Sequence, residues 1–380
     1  MSIVEYGDFL ALYIFGILLL PAVILGCLGK KIKWYGMCIS IPILYMLMGD
    51  RLKYFLLVAG AMIVILYIYY RAYSKWKNKW IYYLALTALI LPIVEVKSAD
   101  LVHIKSWAFL GISYFGFRIW QMVIEIHDGH IKEFKLVDIL YFVTFFPSVS
   151  SGPIDRYRRF LPECNEAIES SIYVSKYLKP GAKKILLGII YKFCCADLIN
   201  LFLMSGISHE VTVLSSIEYM YAYTLYLFFD FAGYSLMAVG TGYILGITLP
   251  DNFNKPFLAR NMKEFWDRWH ISLSRWFGDY LFSRVVLNLM RNKIVKQQKY
   301  AVRAGYIITM FTMGLWHGFT VYYLLYGLYQ GLMLALSDMY IKSKAYRSHI
   351  KKPGYDWISR AICFHVIAFG MLIFSGYLFV

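Results

Sequence analysis

Two histidines carry most of the chemistry this sequence offers. His317 stands in Met313-Gly314-Leu315-Trp316-His317-Gly318, near the middle of a stretch from Ala304 to Ser337 that contains no Asp, Glu, Lys or Arg. An imidazole so deep in an apolar run is costly unless it faces a polar cavity, and glycines at 314 and 318 would let a chain segment or a ligand come close. The alternative is a core histidine satisfied by a neighbouring helix. His270 lies in residues 261–284, NMKEFWDRWHISLSRWFGDYLFSR. Phe265, Trp266, Trp269, Leu273, Trp276, Phe277, Tyr280 and Leu281 recur there at three- and four-residue spacing. That pattern predicts one amphipathic helix with His270 at the edge of its apolar arc, one turn before Ser274. The plainer alternative is an interfacial histidine bonded to a neighbour. Imidazole titrates near neutral pH without heavy tuning, so two of them in one half of the chain predict proton transfer inside an intramembrane cavity. No serine elbow, Walker loop, glycine-rich dinucleotide turn or HExxH pattern competes. Cys27, Cys38, Cys164, Cys194, Cys195 and Cys363 form no C-x-x-C pair and no zinc-type spacing, so they read as buried thiols and no metal is expected.

Groups of this kind need a membrane fold to hold them. Of the 380 residues, 60% are apolar or aromatic and 16% charged, and the mean hydropathy is +0.55. These values exclude a water-soluble fold, disorder, collagen-like repeats and a disulfide scaffold. At roughly 20 residues per span the length allows at most about a dozen spans and no large soluble domain. Runs 9–29, 35–49, 54–70 and 80–94 carry no charge and form a first block of spans. The opening MSIVEYGD is acidic and lacks a basic leader region, so the first run is expected to remain a span. Lys30, Lys31 and Lys33 follow the first run, and Arg71, Lys75, Lys77 and Lys79 follow the third, against Glu5 and Asp8 at the N-terminus. The positive-inside rule then places the N-terminus outside and Ser74, Ser175 and segment 341–356 in the cytosol, before a last uncharged run at 361–380.

From 106 onward charges interrupt the runs: Arg118 with Glu125, Lys192 with Asp197, and Asp230. Ions at membrane depth face protein or a watery cavity, unless Arg118 and Glu125 sit at span ends and snorkel. Residues 137–154 start as a span, but Pro147, Gly152 and Pro153 stop the helix too early to cross. A re-entrant hairpin bordering a central cavity is expected. It runs into the basic edge Asp155–Phe160, where Arg156, Arg158 and Arg159 are candidates for docking an acidic partner. Trp316, Ser274, Asp267, Ser150 and Ser151 are candidates for lining the substrate path. The net charge of +16 favours anionic lipid heads or an acidic protein, and no nucleic-acid partner is expected.

Four segments, FFPSVSSGPIDRYRRF (145–160), FDFAGYSLMAVGTGYILGITLPDNFNKPF (229–257), RNMKEFWDRWHISLSRWFGDYLF (260–282) and MGLWHGF (313–319), resemble the signatures of membrane-bound O-acyltransferases. With SSGPIDRYRRF, the run ISYFGFRIWQMVIEIHDG is similar, more narrowly, to the branch of that family serving teichoic-acid D-alanylation. The likeness covers about residues 105–335. It implies an all-α polytopic ring of about ten or eleven transmembrane helices, with re-entrant and amphipathic helices around a central funnel or tunnel. It also implies one integral membrane domain over 1–380: a span block (1–104), a catalytic core (105–340), and a cytosolic segment with a last span (341–380). His317 matches the family's invariant active-site histidine and His270 its second polar catalytic position. The resemblance implies no bound cofactor. The donor would be D-alanine on the phosphopantetheine thioester of a small acidic carrier protein at the cytosolic face of the plasma membrane. Lipoteichoic acid of a Gram-positive cell wall would be the final acceptor, with an extracytoplasmic Dlt-type partner protein. His317 would deprotonate an acceptor hydroxyl for attack on the thioester. Two alternatives stay open: an alginate-type polysaccharide O-acetyltransferase, which shares the WHG and RWH motifs, and a lipid or proton-coupled transporter, against which stands the lack of an internal repeat.

Overall fold

The computed structural model describes residues 9–99, 108–150, 152–208 and 210–379. The uncharged runs become long helices: α1 (Phe9–Cys27), α2 (Lys33–Met48), α3 (Leu52–Trp76) and α4 (Lys79–Ala99). In lipid a helix satisfies its own backbone groups, which makes it the cheap conformation for such runs. Glu5 and Asp8, on which the outside placement of the N-terminus rests, lie outside the described residues, as does the boundary at 104. After α5 (Ile112–His127), α6 (Leu136–Thr144) lasts nine residues and stops three short of Pro147. That is about 14 Å of helix against a hydrocarbon core of about 30 Å, so the interruption expected in 137–154 is present. A 3₁₀ turn over Phe146–Ser148 and irregular backbone lead to α7 (Tyr157–Asn165).

Two long helices follow: α8 (Ser170–Met204), with π-helical turns within it, and α9 (Val213–Ile244). α9 is closed two residues past its end by Gly246, whose N–H reaches Tyr243 O at 2.8 Å and whose φ of 79° turns the chain so that Ile247 N–H reaches Gly242 O at 2.9 Å. The rest of the chain forms α10 (Met262–Trp266), α11 (Ile271–Phe277), α12 (Ser283–Arg291), α13 (Gln298–His317), α14 (Val321–Ile341), α15 (Lys344–His349) and α16 (Tyr355–Ser375). Among the described residues there is no strand, only an isolated antiparallel bridge between Phe253 and Trp269. Among the described residues, five segments are long and apolar enough to cross a membrane: Lys33–Trp76, Lys79–Ser98, Ser170–Met204, Val213–Ile244 and Tyr355–Ser375. The expected all-α polytopic membrane architecture is therefore found.

The chain divides into two compact units, Met1–Ile189 with Gly233–Pro250, and Ile190–Ala232 with Asp251–Val380. In the first, α5 buries a polar stripe of Arg118, Gln121 and Glu125, set three and four residues apart on one helix face. Snorkelling of Arg118 and Glu125 is thereby overturned. The Arg118 guanidinium lies over the Phe142 ring at 4.3 Å, and Glu125 accepts from Arg158 at 3.0 Å. Lys33, read from sequence as a loop cation, is buried and paired with Asp138. In the second unit Lys192 meets Asp230 rather than its helix neighbour Asp197. The ion pairs of Glu125, Lys33 and Lys192 have one thing in common: partners more than 30 residues away in sequence satisfy charges that local spacing does not pair.

Candidate active site

The single amphipathic helix expected over 261–284 is interrupted. α10 ends at Trp266, a turn carries Asp267–His270, α11 begins at Ile271, and a π-helical turn over Gly278–Phe282 precedes α12. His270 sits at the break with φ 43° and ψ 51°, a left-handed conformation that costs a residue with a Cβ about 1–2 kcal/mol. A neighbouring segment holds it there. Asn254 N–H donates to Arg268 O at 3.0 Å, and Ile271 N–H donates to Asn252 O at 3.0 Å. Ser272 N–H and Oγ both donate to Asn252 Oδ1, at 3.2 and 2.6 Å. His270 is buried rather than interfacial, with the Phe231 ring edge-on at 4.8 Å. Burial depresses its pKa to about 3, so the ring is neutral at physiological pH.

His317 is the last residue of α13 and stands in an aromatic box. Trp316 lies at 4.6 Å, Phe374 at 4.9 Å, Tyr323 at 5.6 Å and Tyr326 at 6.2 Å, ring centre to ring centre. One turn earlier, α13 crosses α14 with backbones in contact. A Cβ on Gly314 would lie 3.0 Å from Gly327 Cα, and one on Gly327 would lie 2.6 Å from Met310 O. The close approach that the sequence assigned to Gly314 is thus made by α14 of the same chain, and it fixes where the end of α13 presents His317.

These supports converge. His270 and His317 line one cavity of about 70 Å³, together with Phe231, Trp266, Trp269, Met313, Tyr326 and Phe374. A second cavity of about 410 Å³ shares Trp266 and Met313 with the first and is lined by the more polar Lys263, Asp267, Ser274, Arg275, Asp279 and Thr309. Two of the path residues expected from sequence are therefore found there. Asp267 is paired with Lys263 at 3.0 Å, and Ser274 Oγ donates to Trp269 O at 3.2 Å. Trp316 packs on His317 and does not line the small cavity. Ser150 belongs to the first unit, where its buried hydroxyl pairs with Tyr234 Oη; Ser151 lies outside the described residues. Sequence reasoning missed Asn252, Tyr326 and Phe374. A signal for Asn252 was the polar Asp251-Asn252 step inside a quoted motif.

The arginines of the docking edge are engaged by their own chain. Arg159 pairs with Asp155 and, at 3.0 Å, with Glu163; Arg156 donates to Gln121 Oε1 at 3.2 Å; Arg158, half exposed, pairs with Glu125. Gln121 Nε2 donates to Asp155 O at 2.7 Å, so the α5 stripe also clamps the loop backbone. Desolvation raises the Asp155 carboxyl pKa despite Arg159 beside it.

A helical membrane chain with two histidines on one apolar cavity fits an acyl-transfer enzyme, and known proteins agree. Residues 62–380 match the membrane-bound O-acyltransferase (MBOAT) family, and the chain belongs to it. It is an integral membrane acyltransferase, which sets the transporter alternative aside. Over 98% of its length it is 40% identical to the teichoic acid D-alanyltransferase of Bacillus subtilis, of which 98% is covered. The protein of the same name from Streptococcus thermophilus is 37% identical, with 98% of this chain and 95% of that one covered. A probable alginate O-acetylase, AlgI of Pseudomonas syringae, is 31% identical over 70% of this chain and 49% of its own.

Proposed function

We propose that this chain transfers D-alanine from the phosphopantetheine thioester of a cytosolic carrier protein to a hydroxyl acceptor, in the D-alanylation of lipoteichoic acid. The carrying observation is the shared cavity of His270 and His317 beside a larger, more polar one. A thin pantetheine arm entering the larger cavity past Lys263 and Asp267 would bring its thioester to the Trp266 and Met313 walls that the two cavities share. His317 removes the proton of the acceptor hydroxyl, whose oxygen attacks the thioester carbonyl carbon. The tetrahedral intermediate collapses with cleavage of the C–S bond, and the departing sulfur takes the proton back from His317. His270 takes a different part. A ring held neutral by burial is a poor proton acceptor at pH 7, but its N–H can donate to the oxygen on which charge develops. The similarity to D-alanyltransferases over nearly the whole chain supports D-alanyl as the group moved, and no feature of the cavity favours acetyl. The carrier meets the basic cytosolic edge, where half-exposed Arg158 keeps the most accessible charge of the three docking arginines.

The test is His317→Gln, assayed by single-turnover transfer from labelled D-alanyl carrier protein in membranes. Glutamine keeps a hydrogen-bonding group of similar reach but takes up no proton near neutral pH. A loss of about 10²-fold or more with carrier binding intact is expected. Near-normal transfer would remove His317 from the chemical step.

A further inference from the structure

We infer that a groove between α14 and α16 is a binding site for an anionic phospholipid of the membrane, separate from the acyl-transfer cavities. The groove holds about 640 Å³, well within the range of small-ligand sites. It shares no lining residue with the two cavities near the histidines. Its two ends differ in chemistry. Arg260, Tyr340, His349, Lys352 and Tyr355 line one end, whereas Met333, Ile362, Cys363 and Val366 line the other. From Tyr355 to Val366 along α16 is about 16 Å at 1.5 Å per residue, enough for most of an acyl chain lying parallel to the helices. Leu336, Ile358 and Ile362 expose between 53% and 60% of their surface along it, and α16 is long and apolar enough to span the membrane. Hydrocarbon is therefore the natural surroundings of the apolar end, where a soluble partner has no access.

Charge selects the headgroup. No acid occurs from Met339 to Tyr355, a stretch that holds Lys342, Lys344, Arg347, Lys351 and Lys352. Among the described residues only Lys342 of these has a carboxylate partner, Asp338 at 2.5 Å. The acids beside Arg260, Glu264 and Asp356, are engaged by it at 3.3 and 3.4 Å, and His349 Nδ1 contacts Tyr340 Oη at 3.1 Å. Lys352 is thus the cation left to take a phosphate at the top of the groove, with Lys344, Arg347 and Lys351 adding field around it.

The test uses the full-length protein in detergent with a photoreactive phosphatidylglycerol, and a phosphatidylcholine carrying the same reactive tail as control. Phosphatidylglycerol should label peptides from 333–340 and 355–366, and the zwitterionic lipid should label them much less. Lys352→Glu should cut that labelling about fivefold or more, the scale of one lysine at an anionic surface. Ile362→Trp, which fills the apolar end and keeps every charge, should cut it as well, so that a fold-disrupting effect of one variant cannot decide the matter alone. Equal labelling by both lipids would overturn the proposal. So would labelling confined to other helices, or protection of these peptides by inorganic phosphate or a soluble acidic protein in place of lipid.

Discussion

Replacing Asn252 with alanine removes a side chain bonded to Ser272, two residues past His270, and it should disable transfer. Asn252 Oδ1 accepts two hydrogen bonds from Ser272, both residues are buried, and these bonds lie two residues past the left-handed His270. Two lost buried bonds cost about 1–3 kcal/mol, partly offset because the left-handed turn can relax and release about 1 kcal/mol of strain. A turn freed in this way moves the imbalance into geometry. A displacement of the imidazole by about 1 Å is enough for a loss of about 10²-fold. Single-turnover transfer in proteoliposomes should fall by that order while the affinity for D-alanyl carrier protein stays unchanged. Ser272→Ala, which keeps the N–H bond to Oδ1, should cost about 1 kcal/mol and less than tenfold in rate. An Asn252→Ala enzyme that kept transfer within about threefold of normal would refute the idea that this contact positions His270 for the reaction.

Three further outcomes follow from the same contacts. His270→Asn and His270→Ala should both lose transfer, but thermal unfolding should rank asparagine above alanine by about 1 kcal/mol, because asparagine tolerates the left-handed turn; the reverse order would show that the turn is not maintained. Gly314→Ala should lower stability by about 1–3 kcal/mol and reduce transfer, since the added methyl meets the α14 backbone at Gly327, and unchanged behaviour in both assays would contradict the close crossing. Although desolvation opposes it, hydrogen bonds from Arg260 and Arg268 hold the Glu264 carboxyl below its usual pKa. Its contribution is therefore present above the ordinary carboxylate range and lost as pH falls through the depressed value, and Glu264→Gln should flatten the stability profile on that acid side only.

Much of the site was legible because its signals are local. The helix stop before Pro147 and the close helix crossing at Gly314, three residues before His317, follow from residues within one or two turns. The break at His270 was hidden for a physical reason. The apolar residues from Phe265 to Leu281 keep helical spacing on both sides of it, and the break is imposed by backbone and side-chain bonds to Asn252 and Asn254, which lie at a distance in sequence. The ion pairs failed in the same way: Lys192 reaches Asp230 and Arg158 reaches Glu125, separations of 38 and 33 residues that no periodicity encodes.

The small size and greasy walls of the cavity at the two histidines set a competition between nucleophiles. An apolar chamber of about 70 Å³ offers ordered water few hydrogen-bonding partners and tends to stay dry. Water is the most abundant hydroxyl compound in the cell, and an activated aminoacyl group beside a proton-accepting imidazole would be cleaved by it at every visit. On the proposed function, aromatic walls from Trp266, Trp269, Tyr326 and Phe374 would leave the activated group to wait for an acceptor that brings its own hydroxyl into the chamber. In such an enzyme, widening the chamber should show first as wasted aminoacyl groups rather than as slower consumption of the donor.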